Sequence, residues 1–296
     1  MKKSSLLWIA FLSVMFIILV SAGGFSLNTD VVAISGSTTV LPLVQSIVEK
    51  YYLEENKDVG ISVKGGGSGT GISELVDKNC DIAMSSRAIK PQEIENANAK
   101  GAVPKEYILA YDGITVIVHP SNPVDSLTLG QLQKIYAGEI TNWKEVGGKD
   151  AAIAVISRDS ASGTQEYFKE IVMKDKEFRS DMITQSATGA VIQEAAQNEK
   201  AIGFIGTAYQ SSSAKKIGIN VDGTVVYPTE ENILNGKYPI SRALYLYTQD
   251  NPSQNVQDFM DYVLGPKGQQ IVKDMGYVPI LKEEEKTANS KTALSK

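Results

Sequence analysis

Three short loops constrain this chain more than any other feature. "ISGSTTVLPLV" from Ile34, "VKGGGSGTGI" from Val63 and "ISRDSASGTQEYF" from Ile156 share one order: an apolar strand, then Gly, Ser and Thr, then a helical pattern. Ser and Thr are good helix N-caps, and small residues let an oxygen approach the N–H groups of a first turn. A chain that alternates strand, turn and helix in this way predicts α/β layers with largely parallel sheets. In an open sheet of that kind, ligands bind at the loops beyond the carboxyl ends of the strands.

The Gly-rich segment "KGGGSGTG", Lys64 to Gly71, invites comparison with a nucleotide-phosphate loop. Such a loop ends in Gly-Lys-Ser/Thr, whereas here Gly69 is followed by Thr70 and Gly71, with no lysine to reach a terminal phosphate. The third loop supplies a different cation, Arg158, whose planar fork suits two oxygens of a tetrahedral anion. Each loop alone is a weak signal. Three helix starts with one arginine point together to a cage of neutral donors around an oxyanion.

The rest of the chain predicts the frame for that cage. Helical patterns run over Val40 to Tyr52, Ile72 to Asp77, the segment opened by Pro91, "LTLGQLQKIYAG" stopped by Gly138, "GTQEYFKEIVMK", "AVIQEAAQN", and a pair broken at Gly265-Pro266. Strand patterns include "DVVAIS", "VGISVK", "CDIAMSS", "YILAYDGITVIVHP", "AIAVISR", "AIGFIG" and "YPISRALYLYT". At the N-terminus, Lys2 and Lys3 precede an apolar run and then "SAGG", which predicts a signal peptide or N-terminal anchor over residues 1–24 and an extracytoplasmic body. The last stretch, 282–296, is charged and aperiodic and reads as a solvated polar tail.

Composition narrows the function. The formal charge of −5 argues against nucleic acid as a partner. A small anion stays compatible with it, because backbone N–H groups act locally. The chain has one cysteine, Cys80, so no internal disulfide is available, and the residue reads as a small buried side chain. With one histidine, His119 at a strand end before Pro120, the familiar nucleophile–base pairs and clustered metal ligands are poorly served. No enzyme activity, cofactor or metal is expected. "ITNWKEVGG" around Trp143 reads as a packed surface loop, with contact to a membrane partner as the other reading.

In order along the chain, "SGSTTVLPLV", "GGGSGTGI", "DIAMSSR", "YDGITVIV", "ITNWKEVGG", "SRDSASGT", "AIGFIGTAY" and "YPISRALYLYT" resemble the phosphate-binding proteins of ABC-type phosphate importers, over roughly Val31 to Ile280. The resemblance implies a two-lobed type II periplasmic-binding-protein-like α/β fold. Lobe 1 would be 31–112 with 242–281 and lobe 2 would be 113–241, with crossing strands near Tyr111–Val118 and Ser241–Tyr247. It implies a monomer that captures inorganic phosphate and delivers it to importer permease subunits. Carried over residue by residue, it assigns Thr38, Thr39, Ser68, Arg158, Ser162, Gly163 and Thr164 to the anion. Where better-known members carry an acidic residue that accepts the phosphate proton, this chain has Ser86, followed by Arg87. Asp112 is then the expected acceptor, with Asp159 second and with a hinge carboxylate paired to a nearby base as the other reading of Asp112. Sulfate, molybdate or tungstate in the same cage, and a surface adhesin or scavenger built on the fold, stay open as alternatives.

Overall fold

The computed structural model describes residues 31–55, 59–174, 176–209 and 212–280; the leader expected over residues 1–24 and the tail over 282–296 lie outside them. The strands are β1 (Val32–Gly36), β2 (Ile61–Gly65), β3 (Ile82–Ser85), β4 (Pro104–Val118), β5 (Ser126–Leu127), β6 (Ala154–Arg158), β7 (Ile183–Gln185), β8 (Ala201–Gly206), β9 (Lys215–Val221), β10 (Thr224–Val226), β11 (Ser241–Gln249) and β12 (Val278–Pro279). The helices are α1 (Leu41–Glu55), α2 (Ser68–Val76), α3 (Pro91–Ala99), α4 (Leu129–Ala137), α5 (Gly163–Phe168), α6 (Thr188–Gln197), α7 (Glu230–Leu234), α8 (Gln254–Leu264) and α9 (Pro266–Asp274).

The main sheet runs β2-β1-β3-β11-β4-β8-β6-β7. Its ends are parallel: β1 pairs with β2 and β3, and β6 with β7 and β8. Parallel neighbours need crossover connections, which α1, α2, α5 and α6 supply. The middle is antiparallel, through β3, β11, β4 and β8. The expectation of largely parallel sheets therefore holds at the two ends and fails at the centre. There, β11 lies between β3 and β4, and this long-range order cannot be read from local alternation.

β4 is the element that joins the two ends. From Pro104 to Gly113 it pairs with β11, and from Ile114 to Val118 it pairs with β8. On either side lies a separate core. Ile34, Leu43, Ile47, Leu246 and Phe259 belong to one, while Val116, Tyr136, Trp143, Phe168 and Phe204 belong to the other. Phe168 stacks on Phe204 at 4.1 Å between ring centres. Trp143, expected on a surface loop, is 2% exposed and donates its Nε1–H to Lys200 O at 2.9 Å, so it is a core residue.

Local signals set most element ends. Thr128 caps α4 in a capping box with Gln131, and Gly138 ends it at φ 81°. Pro266 starts α9 at its first turn. The hairpin β9–β10 is absent from the sequence reading although its turn was legible: Asp222 and Gly223 both have positive φ, 48° and 87°, the signature of a two-residue hairpin turn. Helix α2 begins at Ser68, four residues before the expected Ile72. The Gly-rich segment is therefore the first turn of a helix as well as a loop.

Candidate functional site

The strands β1, β2, β3, β6 and β7 end at Gly36, Gly65, Ser85, Arg158 and Gln185, and the next few residues of each converge. Thr39 Oγ1 lies 2.9 Å from Thr164 Oγ1, and Ser86 Oγ lies 3.5 Å from the same atom. Ser68 Oγ is 3.3 Å from Ser86 Oγ, and Thr38 Oγ1 is 3.3 Å from Thr188 Oγ1. Of the residues assigned from sequence, all but half-buried Thr38 are buried.

Glycine makes this approach possible at two points. A Cβ on Gly163 would stand 2.3 Å from Ser68 Oγ and 2.9 Å from Ser86 Oγ. At Gly67, with φ 99°, a Cβ would stand 2.5 Å from Ala161 O. Only bare backbone fits in either place. Next to Gly67, the Gly69 N–H donates to Ala161 O at 3.1 Å and ties the second loop to the third.

Three of the cage hydroxyls also accept from N–H groups of the protein. Ser68 Oγ accepts the Ser86 N–H at 3.0 Å, Ser162 Oγ accepts the Gln165 N–H at 3.3 Å, and Thr164 Oγ1 accepts from Arg242 Nη1 at 3.0 Å. A hydroxyl that accepts from an N–H must aim its own hydrogen elsewhere. The N–H groups of Gly163 and Thr164, at the start of α5, have no protein acceptor among the described residues. The cage thus brings hydroxyls together with backbone N–H groups that have no acceptor among the described residues.

Arg158 stands beside it at 3% exposure. Its Nε donates to Gln185 O at 3.0 Å, Nη2 to Ser186 O at 3.0 Å and Nη1 to Thr188 Oγ1 at 3.2 Å. Those bonds use three of the five guanidinium hydrogens. No carboxylate lies within 4.0 Å of it among the described residues. Burial pulls its pKa below the usual arginine value, with Asp159 and Tyr209 opposing the shift. A buried cation held only by neutral oxygens is costly unless an anion joins it.

Asp112 is placed differently from its expected role. One of its oxygens, Oδ2, takes Arg242 Nη2 at 3.0 Å and Nε at 3.3 Å. The Thr207 N–H donates to the other oxygen, Oδ1, at 3.1 Å. The hydrogen bonds of the carboxylate therefore run to groups inside the protein. Burial pushes the Asp112 carboxyl above the ordinary carboxylate range, while Arg242 and the backbone N–H groups of Thr207 and Ala208 pull against it. Asp112 is thereby the counter-charge of a neighbouring base. Asp159 contrasts with it: Oδ1 is buried without a hydrogen-bond partner, next to Arg158.

Arg242 escaped the sequence reading. Besides Asp112 and Thr164 it donates from Nη1 to Ser86 O at 3.1 Å, so it touches both sides of the cage from the crossing strand β11. The available signal was an arginine inside the apolar strand pattern "ISRALYLY". Thr188, which links Arg158 to Thr38, and Tyr209, whose hydroxyl donates to Thr38 O, were also missed. Elsewhere, His119 sits in a turn, bonded through Nδ1 to Ser121. Cys80 is buried, and burial pushes its thiol up to about 12, far from a reactive thiolate. No group of three or more His, Cys, Asp or Glu suited to a metal occurs among the described residues.

The chain is similar to several known proteins. A sequence-family model described as a PBP superfamily domain matches residues 24–267. The phosphate-binding protein PstS of Borreliella burgdorferi is 36% identical over 262 residues, covering 86% of this chain and 91% of that protein. A Clostridium perfringens structure, described as a phosphate ABC transporter substrate-binding protein with bound phosphate, superposes with a TM-score of 0.78 at 37% identity, covering 85% of this chain and 100% of its own. An ABC-type phosphate transport receptor from Vibrio cholerae gives a TM-score of 0.68 at 30% identity, covering 84% of this chain and 100% of its own.

Proposed function

The chain belongs to the phosphate-binding proteins of the PBP superfamily, and from that premise we propose that its cage closes on one inorganic phosphate and hands it to the permease subunits of an ABC importer. The observation that carries this reading is Arg158: a buried guanidinium with no carboxylate within 4.0 Å among the described residues, beside a cluster of hydroxyls and the N–H groups that open α5. A bound dianion supplies the missing counter-charge and accepts those hydrogens. Thr38, Thr39, Ser68, Ser86, Ser162, Gly163 and Thr164 contact it in this reading, with lobes of 31–112 plus 242–281 and of 113–241 closing from either side. Capture involves no chemistry on the ligand. The working location is outside the cytoplasmic membrane, and the working form is a monomer. Among the described residues, no helix is long and apolar enough to cross a membrane.

Phosphate carries one proton at neutral pH that sulfate lacks, so selection between them needs an acceptor inside a donor-rich cage. Asp112 is engaged by Arg242 and the Thr207 N–H, and Asp159, with its unpartnered Oδ1, takes the role in this reading. Calorimetric titration with phosphate, sulfate and molybdate tests the function directly. Saturable binding of phosphate in preference to the other two is the expected result. Equal or better binding of sulfate or molybdate assigns the cage to another oxyanion, and no heat with any of them removes the anion reading.

A further inference from the structure

We propose that Glu166 is a positioning residue for anion capture, clasping the cleft shut by pairing from α5 with Arg87 and Lys90 on the opposite side. The inference rests on the phosphate reading above and adds the contact that governs release.

Glu166 lies in the first turn of α5, two residues after Thr164. Arg87 directly follows Ser86, and Lys90 is the N-cap of α3. The clasp therefore joins the two loops that bring Ser86 and Thr164 together. Glu166 Oε2 meets Arg87 Nε and Oε1 meets Lys90 Nζ. Arg87 Nε and Glu166 Oε2 are ion-pair partners.

The rest of Arg87 is anchored on its own side. Nη1 donates to Glu93 Oε2 at 2.8 Å and to Ala88 O at 2.9 Å, and Nη2 donates to Glu93 Oε1 at 2.7 Å. This two-pronged bond orients the fork and leaves Nε facing the cleft. Opening the clasp keeps Arg87 neutralised by Glu93, while Glu166 regains water. Closing it adds an attraction without a stranded charge in either state, as a reversible latch requires.

The two arms differ in screening. The side chains of Arg87, Glu166 and Lys90 are 7%, 22% and 48% exposed. Salt weakens the Lys90 arm more than the Arg87 arm, because exposed pairs are the ones it screens. Both arms line a groove of about 870 Å³ that also reaches Arg242, so solvent ions have access to the clasp.

The test is release of radiolabelled phosphate into excess unlabelled phosphate at low and high salt, with the dissociation constant measured by calorimetry. E166Q should raise koff about tenfold, leave kon within about a factor of two, and lose most of the salt dependence of release. K90M should give a smaller rise, visible mainly at low salt. If the unaltered protein binds phosphate and E166Q releases it at the parental rate at low salt, the clasp is wrong and the phosphate reading stands. A loss of affinity confined to kon also overturns the clasp. Failure of the unaltered protein to bind phosphate overturns both.

Discussion

Arg158 and Arg87 are both buried guanidiniums beside the same cleft, and their surroundings are opposite. Arg87 has Glu93 and Glu166 within ion-pair distance, whereas Arg158 has a hydroxyl and the carbonyls of Gln185 and Ser186. Burial tends to lower the pKa of both. At Arg87 the paired carboxylates reverse that and raise it, but at Arg158 nothing does, and it falls. A buried charge without a partner is costly, and in the proposed reading the missing partner of Arg158 is the ligand. The region around Arg87 holds itself together by its own ion pairs, whereas that around Arg158 does not.

The sharpest way to break this contrast is to replace each arginine with an apolar residue of similar length. Arg158→Met should weaken phosphate binding by about 30-fold to several thousandfold, the ~2–5 kcal/mol that follows loss of a buried charged contact. Its melting temperature without phosphate should not fall, because the substitution removes a buried charge with no counter-ion. Arg87→Met should lower the melting temperature by stranding Glu93, and cost far less affinity. Calorimetry and thermal melts on both variants decide it, and the contrast fails if Arg158→Met binds within a factor of three of the parent.

Next in size is the pair behind the cage. Asp112→Asn leaves Arg242 buried without its counter-charge, and breaking a buried pair from one side costs ~3–5 kcal/mol. Urea unfolding should show a loss of that order. The phosphate-to-sulfate affinity ratio should hold, since Asp112 is engaged by Arg242 and the Thr207 N–H inside the protein. Asp159→Asn should do the reverse: little loss of stability and a fall in that ratio of about tenfold. This is well short of the ~10⁴ possible at a fully dry site, because Asp159 is half-buried. A ratio that collapses in Asp112→Asn and holds in Asp159→Asn would exchange their roles.

The smallest expected effect is a pH dependence. Burial tends to raise the Glu93 carboxyl, but Arg87 and the Lys90 N–H outweigh it and hold the group below its ordinary value of 4.5. A carboxyl depressed in the folded state binds protons less readily there than in the unfolded chain. Its stabilisation is therefore present above about pH 4.5 and is lost as pH falls through the lowered folded value. Glu93→Gln should flatten this part of an acid-unfolding curve. An unchanged acid limb would mean that Glu93 contributes no pH-dependent stability.

The sequence by itself determined the strand–loop–helix alternation, the three loops and most helix ends. These rest on local chemistry: cap residues, prolines and glycines act within a turn of where they stand, and period 2 against 3.6 shows over a few residues. It also determined the family, because the order of the loops is itself a pattern. Tertiary structure alone decided the antiparallel centre of the sheet, where β4 and β11 meet across more than a hundred residues of chain. It alone decided which charges neutralise which. On paper Asp112 ranks ahead of Asp159 as the acceptor. The fold places the first between Arg242 and two backbone N–H groups, and leaves an oxygen of the second buried without a partner. Hydrogen-bond capacity is used up by neighbours in space, and those neighbours are 95 and 130 positions away from Asp112 in the sequence. No spacing rule reaches that far.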